Sequence, residues 1–193
     1  MVDKEKIKAA IRMILEAIGE DPDRPGLRGT PQRIADMYEE LFSGYDNNDE
    51  PVYFEEYADI VVCRNIRFYS MCEHHILPFY GTVDIVYIPN NRKVIGISKI
   101  VRIVQKYARR LQIQERFTNQ IAEELYNCEH KPKGVLVISR AKHMCMIIRG
   151  VKNPSTIISV AYRGVFEKDR ELQNQAYLLL SQKIGPQEPE IYG

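Results

Sequence analysis

Four histidines serve the whole chain, and three of them stand beside cysteines. Cys72-Glu73-His74-His75 forms one cluster and His143-Met144-Cys145 the other. A cysteine and a histidine three apart, as Cys72 and His75 are, can wrap one metal ion from a turn. In a strand, residues two apart share a face, so a strand running on through Met144 to Arg149 would aim Cys145 the same way as His143. Thiolate and imidazole together favour zinc over magnesium or calcium. Each cluster alone is a weak sign, because buried Cys also serves as a small hydrophobe and His often satisfies only a local hydrogen bond. Two clusters that use most of the histidine in the chain point to one shared metal. A structural zinc would need a fourth protein ligand from Cys63, Cys128, His74 or His143. Cys72, His75 and Cys145 with water in the fourth position leave His74 and His143 for proton transfer, an arrangement suited to metal-assisted hydrolysis.

A second constellation lies between the clusters. Ser98, Lys99 and Arg102 fall in Gly96-Ile97-Ser98-Lys99-Ile100-Val101-Arg102, at the start of a helical pattern. Lys99 and Arg102, three apart, share a face beside the positive end of that helix, where phosphate oxygens would be stabilised. The same charges would equally suit a solvated face. Gln114-Glu115 adds an amide and a carboxylate, and a carboxylate can accept from two neighbouring N–H groups, as guanine presents at N1 and its 2-amino group.

These residues must be held by elements whose pattern is mixed. Ile7, Ile11, Ile14, Leu15 and Ile18 recur at helical spacing over residues 4–18, and Gly19 follows as a stop. Residues 20–29 carry Pro22, Pro25, Gly26 and Gly29 as breakers, after which Thr30 caps a helix that ends near Gly44. Residues 46–50 are a polar connection. Residues 60–68, 82–88, 94–97, 134–139, 144–149 and 156–162 have strand composition, while 99–111, 118–126 and 170–182 read as helices. The expectation is an α+β domain whose antiparallel sheet is covered on one face. Residues 1–50 form an N-terminal helical arm, 51–184 the catalytic domain and 185–193 a loose tail.

Composition bounds the partners. With 27 Lys plus Arg against 26 acidic residues among 193, nothing draws the chain to nucleic acid. Its apolar runs are too short to span a membrane, and the charged N-terminus lacks the apolar stretch of a signal peptide, so a cytoplasmic location is expected. Four cysteines in a reducing compartment are thiols or ligands rather than disulfides.

The stretch from Ser70 to Gly81, "SMCEHHILPFYG", resembles the zinc motif of the GTP cyclohydrolase I family. "VIGISKIVR" over 94–102, "RRLQIQER" over 109–116 and "HMCMIIRG" over 143–150 are similar to further motifs of that family, in the same order and spacing. The resemblance implies the tunnelling fold, a four-stranded antiparallel sheet with helices on one face, closed into a ring by edge-to-edge joining. It further implies a homodecamer of two stacked pentamers, with active sites at subunit boundaries. On this resemblance Cys72, His75 and Cys145 are the ligands of one zinc per subunit, and His74 and His143 are the acid–base histidines. Gln114 and Glu115 are a guanine-reading pair, Ser98 a ribose-side contact, and Lys99, Arg102 and Arg149 a triphosphate clamp. Arg33 is a further phosphate contact reached from a neighbouring subunit. The implied reaction opens the imidazole ring of GTP, releases formate and yields 7,8-dihydroneopterin triphosphate. Two rival readings are an enzyme of the same fold that stops early and a non-catalytic, zinc-stabilised assembly protein.

Overall fold

The computed structural model describes residues 2–46 and 53–182; the expected tail at 185–193 and most of the polar connection lie outside them. Two helices, α1 (Lys4–Ala17) and α2 (Thr30–Leu41), begin the chain. Asp3 caps α1 by accepting from the Lys6 amide. Thr30 does not cap α2: Pro31 places the start one residue earlier, with Gly29 as the cap and no side-chain bond to it. The two helices pack on each other and bury little beyond Leu15 and Ala35, leaving Met13, Ile14 and Ile18 exposed. They join the body through a 3₁₀ turn at Ser43–Tyr45. Gly44 is required there, since a Cβ would stand 2.2 Å from the Lys106 carbonyl oxygen.

The body is built on β2 (Val61–Cys72), β3 (Leu77–Ile88), β6 (Gly134–His143) and β7 (Thr156–Gly164), antiparallel in that spatial order. A two-residue strand, β5 (Leu111–Gln112), runs parallel to β2 at Met71 and Cys72 only. The short β1 (Tyr53–Glu55), which the sequence pattern does not reveal, pairs with β4 (Lys93–Ile95) in a separate ribbon. Between them run α3 (Ile97–Ala108) and α4 (Gln114–Tyr126), each starting earlier than the sequence pattern indicates. Their buried faces, Ile100, Ile103, Val104 and Phe117, Ile121, Leu125, pack with Phe68, Phe79, Val83, Ile85 and Val137 of the sheet as one core.

The opposite face is not left bare. A last helix, α6 (Arg170–Ser181), sets Ala176 and Leu180 with Phe166 against Val86, Leu136 and Ile138 at the end of the sheet where β3 finishes. The expectation of helices on one face therefore holds for the end carrying the Cys and His clusters, while the far end is covered on both. Residues 144–149, expected as a strand, instead open with a one-turn helix, α5 (Met144–Ile147). The register explains why. Phe79 pairs with His143, and Thr156 with Lys142, so the next positions opposite Met144 are Pro78 and Pro154. Neither has an N–H to continue the ladder, and β6 stops at His143. Among the described residues, no helix is long and apolar enough to cross a membrane.

Candidate metal centre and active site

The β2–β3 hairpin turns over residues 73–76, directly at the Cys-Glu-His-His motif. Cys72 is buried at the end of β2, and the Ile76 amide bonds back to its carbonyl oxygen at 2.8 Å. Ile76, a β-branched residue, is held there at φ 52°, a conformation that L side chains avoid and that tends to persist at functional turns. This turn presents His75 outward beside the buried thiol. α5 curls Cys145 back to meet them. Ligand atoms of Cys72, His75 and Cys145 all lie within 4.8 Å of one another. The edges of a zinc tetrahedron with these donors measure about 3.3–3.8 Å, so about 1 Å of side-chain closure suffices. Two sulfurs and an imidazole are a borderline-soft donor set, and the residues fit zinc. Burial, then the neighbouring Cys72, pushes the Cys145 thiol up from its ordinary range.

Arg149 donates from Nη1 to His75 Nε2 at 2.9 Å. That bond and metal ligation exclude each other. If the metal takes Nε2, the lone pair is already used. If it takes Nδ1, Nε2 must carry the proton and cannot accept from a guanidinium.

His143 lies in the same region, half-buried and stacked on Phe79 with ring centroids 4.8 Å apart and planes 2° from parallel. Burial pulls its pKa down, and the nearby Glu115 carboxylate opposes that shift. His74 is mostly exposed, with Nε2 4.0 Å from Glu73. Glu73 itself is bound by both Arg116 guanidinium nitrogens at 2.6 and 2.8 Å, tying the metal turn to the first turn of α4. Glu115 is exposed beside it.

Gln114 departs from expectation. Its amide, expected to read guanine, is 1 % exposed, and all its polar atoms are used within the chain. The nitrogen donates to the carbonyl oxygens of Ser139 (3.1 Å) and Ile157 (3.0 Å) and to Ser139 Oγ (3.0 Å). Its oxygen stands 2.8 Å from His143 Nε2. Ser139, Thr118, Phe79, Glu73 and Arg116 were not among the sequence candidates. Ser139 carried a signal, since 139, 141 and 143 share one face of β6 and a serine there interrupts an apolar row.

The second constellation is elsewhere. Gly96 precedes α3, Lys99 and Ile100 make the first intrahelical bonds, and the earlier amides point out of the helix end. Ser98, Lys99 and Arg102 line a cleft of about 210 Å³ with Phe54 and Gly96, smaller than the 300 Å³ or more usual for a whole ligand. The adjoining Ile95 amide bonds to Tyr87 Oη at 3.0 Å, near the far end of β3. Tyr87 is eight residues along β3 from Phe79, which pairs with His143. At a strand rise of about 3.3 Å, these two residues of β3 are roughly 25 Å apart, so the cleft adjoins the end of β3 opposite the metal centre. Arg33 is exposed on α2, in neither group. The structure thus gathers Cys72, His75, Cys145, Arg149, His74, Glu115 and His143 at one end of the sheet and Ser98, Lys99 and Arg102 at the other.

Over residues 7–181 the chain matches the GTP cyclohydrolase I family. It is similar to the GTP cyclohydrolase 1 of Hyperthermus butylicus, 55% identical over 179 residues, 93% of this chain and 92% of that protein. It is also similar to the GTP cyclohydrolase 1 of Carboxydothermus hydrogenoformans, 50% identical over 194 residues, with 98% of each chain covered.

Proposed function

The chain belongs to the GTP cyclohydrolase I family, and from that premise we propose which of its residues carry the reaction. The enzyme opens the imidazole ring of GTP hydrolytically, releases formate and recloses the remaining atoms as 7,8-dihydroneopterin triphosphate, on the way to tetrahydrofolate and other pterins. Its cofactor is zinc, which Cys72, His75 and Cys145 would hold and which, when bound, supplies a Lewis acid that activates water near neutral pH.

The other roles fall to the surrounding side chains. His143 hands a proton to guanine N7 as the ring opens. His74, exposed at the metal turn, moves protons with Ser98 while the ribose opens and rearranges. Glu115 accepts from guanine N1–H and the 2-amino group. Lys99, Arg102 and Arg149 hold the triphosphate, and Arg33 adds a contact from the helical arm formed by residues 1–50. No phosphate bond breaks, so these cations position the substrate without needing an in-line nucleophile.

A single chain does not bring these groups together, which supports sites shared between copies. β2 is covered by β5 only at Met71 and Cys72, and among the described residues β7 has no strand on its outer side. Two open edges of an antiparallel sheet suit closure into a ring, with the Ser98–Lys99–Arg102 end of one copy meeting the metal end of the next. Two stacked pentamers, and a cytoplasmic site of action, complete this reading.

The gathering of Cys72, His75 and Cys145 beside His143 is the observation that carries the residue assignment. The zinc-loaded protein incubated with GTP should release formate and form a product that fluoresces after oxidation, with ITP a much poorer substrate because it lacks the 2-amino group. Equal specificity constants for GTP and ITP would remove Glu115 from its role. A product that keeps the formyl carbon would make this a fold relative that stops early.

A further inference from the structure

The buried polar cluster beneath His143 has one consistent assignment of hydrogens. Thr118 Oγ1 donates to the Gln114 carbonyl oxygen at 2.7 Å and lies 2.7 Å from Ser139 Oγ. Since the Thr118 proton is used, Ser139 must donate to Thr118 Oγ1, which leaves Ser139 Oγ to accept from the Gln114 amide. That amide hydrogen is shared with the Ser139 main-chain carbonyl oxygen, and the second amide hydrogen goes to the Ile157 carbonyl oxygen. Turning the amide over would set its oxygen against the carbonyls of Ser139 and Ile157, a buried repulsion that costs far more than one lost bond. The Gln114 oxygen therefore faces His143, and being an acceptor only, it requires the proton on Nε2.

We infer that Gln114, fixed by Ser139, Thr118 and the Ile157 carbonyl, is a positioning residue that pins His143 as the Nε2–H tautomer and leaves Nδ1 as the nitrogen that exchanges protons with substrate. Phe79 under the ring and Gln114 at Nε2 together remove both rotation and tautomeric choice. The three side chains that bond one another beneath His143 are buried: Gln114 is 1 % exposed, Thr118 and Ser139 0 %. Three elements meet in the cluster, since Gln114 and Thr118 belong to α4, Ser139 to β6 and Ile157 to β7. The inference rests on His143 as the acid–base histidine, and it moves Gln114 from reading the base to orienting the catalyst.

Two measurements test it separately from that reading. Solid-state ¹⁵N spectra of enzyme labelled at its histidine ring nitrogens, with the His143 signals assigned by difference against His143→Asn, should show a protonated Nε2 and a bare Nδ1 in the neutral ring. A protonated Nδ1 would overturn the inference whatever His143 does in catalysis. Kinetically, Gln114→Met should lower kcat ten- to hundredfold while KM and the preference for GTP over ITP stay near wild type, and Ser139→Ala should do the same more mildly. A raised KM with altered GTP/ITP selectivity and unchanged kcat would return Gln114 to base reading. His143→Ala tests the underlying reading: it should keep its zinc and lose about two to four powers of ten in rate.

Discussion

The two ends of the sheet solve different problems. At the metal end, Cys72 is buried, His143 is stacked on Phe79, and Gln114, Ser139 and Thr118 form a closed buried network. At the other end, Ser98 and Arg102 are exposed around a shallow cleft at a helix terminus. Chemistry that moves protons to chosen atoms needs rigid, desolvated groups, because a displacement of about 1 Å can cost a hundredfold in rate. Holding a triphosphate needs charge and reach, and long cationic side chains at an open edge supply both. The contrast teaches that one chain builds a rigid, partly buried Cys–His cluster and an open cationic cleft but does not place them together.

The largest expected effects separate those two halves. Cys145→Ser removes one of the two sulfur donors, and metal analysis of the purified protein should find most of the zinc gone and no turnover. Lys99→Ala should leave zinc in place and raise KM for GTP roughly ten- to hundredfold, the scale of losing a charge-assisted contact. Full zinc occupancy in Cys145→Ser, with Cys63→Ser emptying the site instead, would erase the metal end as described.

A shared site makes the two defects complementary. Cys145→Ser and Lys99→Ala chains, dissociated and reassembled together, should form hybrids in which about a quarter of sites draw an intact metal end from one chain and an intact Lys99 from its neighbour. Activity at low GTP should return beyond the sum of the parents. Mixed assemblies verified by mass that gain nothing would mean the two ends are brought together within one chain, by a movement the fold does not suggest.

What the sequence could reveal follows the same division. The Cys72–His75 turn and the Lys99–Arg102 face were legible because their geometry is local: three residues across a turn, three along a helix. The path of residues 144–149 was not, because Pro78 and Pro154 act on Met144 only through strand register. Their side of the ladder is invisible until β3, β6 and β7 are aligned. The bonding of Gln114 was hidden for a related reason. An amide at a helix start suits a reader of bases, and only the approach of Ser139 and Ile157 from two other strands shows that it is already occupied. The distance between the two constellations was likewise hidden, since sequence separation says nothing about which end of a helix faces which end of a sheet.

A smaller effect would sharpen how the metal end waits for its ion. Arg149 bonded to His75 must let go before His75 can ligate, so Arg149 competes with zinc for that imidazole. Arg149→Met should therefore bind zinc more tightly, by about fivefold if one net hydrogen bond of about 1 kcal/mol is removed, in competition with a coloured chelator. Simple charge repulsion would shrink that gain as salt is raised, whereas a competing hydrogen bond would preserve it. No gain at any salt concentration would show that Arg149 does not occupy the ligand position.

The smallest effect concerns the latch that holds the metal turn on α4. Arg116 keeps the Glu73 carboxyl below its ordinary pKa, mainly through their hydrogen bonds, with the Coulomb attraction adding to it. A carboxylate whose folded pKa is depressed contributes stability that is present above the unfolded value of 4.5 and is lost as pH falls through the folded value. Glu73→Gln should thus melt slightly below wild type at neutral pH, and the gap should close as pH falls below 4.5 through the depressed folded value. Because the pair is solvent-exposed, its worth lies less in global stability than in keeping the turn docked. The metal-free variant should therefore show faster amide exchange confined to residues 73–76, with the Gln114 network unaffected. A melting difference that persists in acid, or loosened exchange spreading into β6, would show that Glu73 acts through packing rather than as a latch. The metal end would then be a single rigid block instead of a buried network carrying a separately tethered turn.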